Sequence, residues 1–64
     1  MKLEELKDVL YSTHGSVTKG IVYSLNTNKD IEEGVIDYLV KKFGESEVKR
    51  IEAFENKVVI SIKE

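Results

Sequence analysis

His14 is the only histidine in this 64-residue chain, and histidine is the side chain whose charge ordinarily changes near neutral pH. It sits in the run Ser12-Thr13-His14-Gly15-Ser16, where two serines could serve as nucleophiles beside an imidazole base. Such catalysis also needs a third group to orient the imidazole, and no carboxylate occurs in that run. His14 therefore reads as a surface residue of a polar loop. One histidine and no cysteine give no transition-metal ligand set, and the acidic residues lack calcium-loop spacing. Glu32, Glu33 and Asp37 are the best candidates for paired acids. Their spacing also suits the first turn of a helix, where the dipole favours negative charge, and that reading is preferred. Gly15 and Gly20 belong to no phosphate-cradling signature. The expectation is a protein that is not an enzyme, with no catalytic, cofactor-binding or metal-binding residue.

The basic residues concentrate in Lys41, Lys42, Lys49 and Arg50. A nucleic-acid surface would use such a patch together with stacking aromatics. Nearby Phe43 has the spacing of a buried helix face, so helix-end charge beside an exposed strand is the preferred reading. The whole chain carries 10 basic and 12 acidic residues, a net charge of -2. That balance argues against nonspecific nucleic-acid binding, which depends on excess Lys and Arg. The absence of cysteine fits a reducing compartment. No apolar run approaches the ~20 residues of a membrane span. Met1-Lys2-Leu3 meets Glu4 and Glu5 at once, unlike a secretory leader. A cytoplasmic protein with no membrane partner is expected.

The elements that would position these residues follow from periodicity. Leu3, Leu6, Val9 and Leu10 have helical spacing, and a helix is expected from Leu3 to Tyr11. Ile21 to Leu25 is rich in strand formers, with Ile21, Tyr23 and Leu25 on one side. Asn26 to Lys29 is a turn cluster. Asp30 with Glu33 resembles a capping box that would start a helix near Ile31. However, Ile31 lies ~100° from the apolar face formed by Val35, Ile36, Leu39, Val40 and Phe43. The alternative makes Ile31 part of a short second strand, with the helix beginning near Gly34, and it is preferred. Gly44 is the expected C-cap.

Val48 to Ala53 and Val58 to Ile62 read as a hairpin. An even loop puts Ala53 opposite Val58 and Ile51 opposite Ile60, which gathers Ile51, Ala53, Val58, Ile60 and Ile62 on one apolar face. An odd loop would place Arg50 and Glu52 on that face, at a cost in desolvation. The other face then holds Val48, Arg50, Glu52, Phe54, Val59 and Ser61. The order helix, strand, short strand, helix, strand, strand implies a single α+β domain over residues 1–64. Its sheet should have three or four strands, antiparallel or mixed, with two helices.

With these elements the chain resembles a loose group of small prophage proteins from Firmicute-type bacteria, whose function is generally unassigned. The resemblance spans nearly the whole chain. It rests on Leu3-x-x-Leu6-x-x-x-Leu10, Ile21 to Leu25, Ile31-Glu32-Glu33-Gly34, Glu47-Val48-x-x-Ile51-x-Ala53 and Val59 to Ile62. This chain has a longer loop from His14 to Lys19 than the usual pattern. The resemblance implies a phage accessory protein and transfers no catalytic residue.

The apolar residues left on the hairpin's second face need a cover. If the first helix covers them, the sheet lies between two helices. If it does not, they form a patch for a partner protein. The expected protein-binding residues are Phe54, Val59 and Tyr38, with Glu52 and Arg50 as a polar rim. The last strand, Val58 to Ile62, would then lie at a sheet edge open to pairing. The leading expectation is an accessory protein that binds a host or phage protein, inhibition of a host factor being one form. A homo-oligomeric structural protein is the alternative, because a small chain without disulfides gains from self-association. Nucleic-acid binding is a third and weaker one.

Overall fold

The computed structural model describes residues 1–63. A 3-10 turn, Leu3–Leu6, leads into helix α1, Lys7–Thr13. Strands β1, Lys19–Ser24, and β2, Lys29–Val35, form a hairpin. Helix α2, Ile36–Phe43, connects it to a second hairpin of β3, Glu47–Ala53, and β4, Val58–Lys63. The protein is a small α+β fold with two helices and a four-stranded mixed sheet, in which the strand order is β2-β1-β4-β3. The central β1 and β4 are parallel, and each outer pair is antiparallel. Among the described residues no helix is long and apolar enough to cross a membrane.

Local chemistry accounts for the boundaries. The expected helix over Leu3–Tyr11 begins instead as a 3-10 turn, because Glu5 closes back on Lys2. The Glu5 N–H donates to the Lys2 carbonyl at 3.0 Å, and the Lys2 N–H donates to the Glu5 carboxylate at 2.8 Å. The helix stops at Gly15, whose φ of 91° suits a left-handed terminator. Its N–H donates to the Tyr11 carbonyl at 3.0 Å. Asn28, at φ 57°, closes the first hairpin, with its N–H donating to the Ser24 carbonyl at 2.8 Å. Gly44 caps α2 as expected, although in the right-handed region. Its carbonyl accepts from the Glu4 N–H at 3.0 Å, so the N-terminal turn closes that helix end.

Ile31 lies in β2, in agreement with the preferred reading. The helix starts at Ile36 rather than near Gly34. Glu32 and Glu33 are consequently strand residues, which corrects their assignment to a helix start. Only Asp37 lies in the first turn of α2. The N–H groups of Ile36 and Asp37 donate to the carbonyls of Thr18 and Ser16, both at 2.9 Å, so the loop before β1 satisfies the donors of that helix end.

The even register of the second hairpin is present, with Ala53 opposite Val58 and Ile51 opposite Ile60. A bulge at Lys49 then sets Val48 opposite Ile62, on the core face. This moves Val48 away from the second face, where simple alternation had placed it. β4 is also a central strand and not an edge. Val58, Ile60 and Ile62 are buried, as is Ser61 between them, and a strand so little exposed needs neighbours on both sides. The edges fall to β2 and β3, which carry charges and bulges that discourage further pairing. The start of β3 is further covered by the N-terminal residues. Val48 donates to the Met1 carbonyl at 2.8 Å and Leu3 to the Ser46 carbonyl at 3.0 Å.

One core serves the molecule. Leu3, Leu10, Ile36, Leu39 and Val40 pack with Val22, Val58, Ile60 and Ile62. Both helical segments thus contribute to the same side of the sheet, which decides against a helix–sheet–helix sandwich and for the alternative in which the first helix does not cover the second face. α1 is held on that side by α2, for the Tyr11 hydroxyl donates to the Asp37 carboxylate at 2.5 Å. The close seat of α2 depends on Gly20 and Gly34, which face each other across β1 and β2. A Cβ on Gly20 would lie 2.9 Å from Leu39 Cδ1, and one on Gly34 would lie 2.8 Å from Tyr38 Cδ2.

Candidate binding face

A sheet covered on one side leaves its other side as the candidate functional surface. Strand register lays this open face out in rows. Glu33, Ile21, Val59 and Glu52 cross the sheet in one row, and Asp30, Tyr23, Ser61 and Arg50 in the next. Val35 and Lys19 begin a third row at one end. The alternation of β4 and β3 continues that row to Lys57 and Phe54, where the Phe54 N–H donates to the Lys57 carbonyl at 2.8 Å.

Charged and aromatic residues flank the centre of the face. Ile21 is 6% exposed and Ser61 1%, although no helix packs on this side among the described residues. The long side chains around them account for that burial. Lys19 pairs with Glu33 at 2.7 Å, and Arg50 Nε pairs with Glu52 at 3.1 Å. Hydrogen bonding to Lys19 holds the Glu33 carboxyl below its usual pKa, and Lys57 adds to the effect. Val59 and Tyr23 are half-buried, while Phe54 is 54% exposed with the Lys57 ammonium 6.0 Å from its ring centre.

Four of the expected binding residues, Phe54, Val59, Glu52 and Arg50, therefore share one face. Tyr38 does not. It projects from α2 on the helical side, over Gly34, and its hydroxyl donates to Glu32 at 2.8 Å. Lys42 joins them, 3.2 Å from Glu32 and 3.3 Å from the Tyr38 hydroxyl. These bonds lower the pKa of Glu32, chiefly through Tyr38, and raise that of Lys42. Glu32 and Glu33 thus serve opposite sides of the sheet and form no acid pair.

The basic set is divided in the same way. Lys41 pairs with Asp37 and Lys42 with Glu32, each at 3.2 Å, on the helical side, whereas Arg50 lies on the open face. His14 caps α1 through its backbone, which donates to the Leu10 carbonyl at 2.9 Å. Its carbonyl accepts from the Thr18 hydroxyl.

A cleft of about 490 Å³ lies between the N-terminal helical segment and α2, with Tyr11, Asp37, Lys7 and Lys41 in its walls. The hydrogen bond between Tyr11 and Asp37 raises the pKa of the hydroxyl and, with help from Lys41, lowers that of the carboxyl. These partners satisfy each other and hold the two helices together.

Sequence reasoning singled out neither Lys19, Val35 nor Lys57 for this surface. The signal was available in the pairing of the first strand, since Ile21 and Tyr23 already shared a side. Which neighbours joined them depended on a parallel β1–β4 contact that no local pattern encodes. Compared with family models, curated proteins and solved structures, the chain matches none.

Proposed function

We propose that this chain is a non-catalytic protein-binding module that docks a partner on the open face of its sheet. The resemblance to small prophage proteins makes a phage accessory role the fuller reading, with a host or phage protein as partner and inhibition of a host factor as one form. The observation that carries the proposal is one-sided packing. Both helical segments contribute to the core on one side, which leaves Phe54, Val59 and Tyr23 on the other without a covering layer. Such apolar groups rimmed by charge are the usual composition of a protein contact.

The test is capture from bacterial lysate by wild type and by Phe54→Ala. Because Phe54 is 54% exposed, the substitution should shift stability by only about 0.5 kcal/mol while abolishing capture. Capture that survives both Phe54→Ala and Val59→Lys, in variants that remain folded, rules out this face.

A further inference from the structure

We draw no further inference here: the strongest candidate, the open face of the sheet around Phe54, Val59 and Tyr23, belongs to the site already described, and nothing in the structure shows what covers it.

Discussion

Two glycines show how single residues govern this fold. Gly20 and Gly34 lie opposite each other and let α2 approach the sheet, but their neighbours differ. A methyl group on Gly20 would press on Leu39, which is fully buried and has no room to move. A methyl group on Gly34 would meet the ring of Tyr38, which is partly exposed and can swing outward. Gly20→Ala should therefore cost about 1–3 kcal/mol, the range of core overpacking, and Gly34→Ala clearly less. Urea midpoints of the two variants measure the difference, and an equal loss in both would refute the argument. In the sequence, Gly34 marked the place near which the second helix would begin. Its use as a seat for Tyr38 became visible once the strand and helix were placed.

Among the elements, β1 and β4 stand apart from β2 and β3. Each inner strand is hydrogen-bonded on both sides, while each outer strand leaves much of one side unpaired. Local opening is cheapest where few partners must be broken. In native-state hydrogen exchange, the amides of Ile21 to Tyr23 and Val59 to Ser61 should be the slowest and follow global unfolding. The outward-facing amides of β2 should exchange orders of magnitude faster. Uniform protection across all four strands would contradict this ranking. The even hairpin register was legible from the sequence, because an odd register would bury Arg50 and Glu52. The bulge at Lys49 was not, since it reverses Val48 without any local mark such as glycine.

At the scale of the whole molecule, a small core is supplemented by surface pairs that set its pH dependence. The pKa values of Glu32, Glu33 and Asp37 are lowered in the folded state. Such groups stabilise the fold above their ordinary pKa, and the contribution is lost as pH falls through ~4 and below. The raised pKa of the Tyr11 hydroxyl works in the opposite sense, with stability lost as pH rises above its ordinary 10.0. The urea midpoint should thus decline on both sides of neutrality. Tyr11→Phe should flatten part of the alkaline decline, to which the raised pKa of Lys42 also contributes, and part of the acid one. High salt should shrink the part of the acid effect that comes from Lys19, Lys41 and Lys42, because those ion pairs are solvent-accessible and screened, and should leave the part held by the Tyr11 and Tyr38 hydroxyls. A midpoint unchanged from pH ~6 to ~3 would discount these pairs. By itself the sequence determined the α+β class and the even register that sets Ile51 opposite Ile60 and Ala53 opposite Val58, and it favoured a strand over a helix at Ile31, because alternation and helical spacing are local properties of the chain. Only the tertiary structure decided that β4 is central, that both helical segments share one side, and that Tyr38 lies away from Phe54 and Val59. Those outcomes depend on contacts between segments distant along the chain, β1 with β4 and Tyr11 with Asp37, and no local period records them.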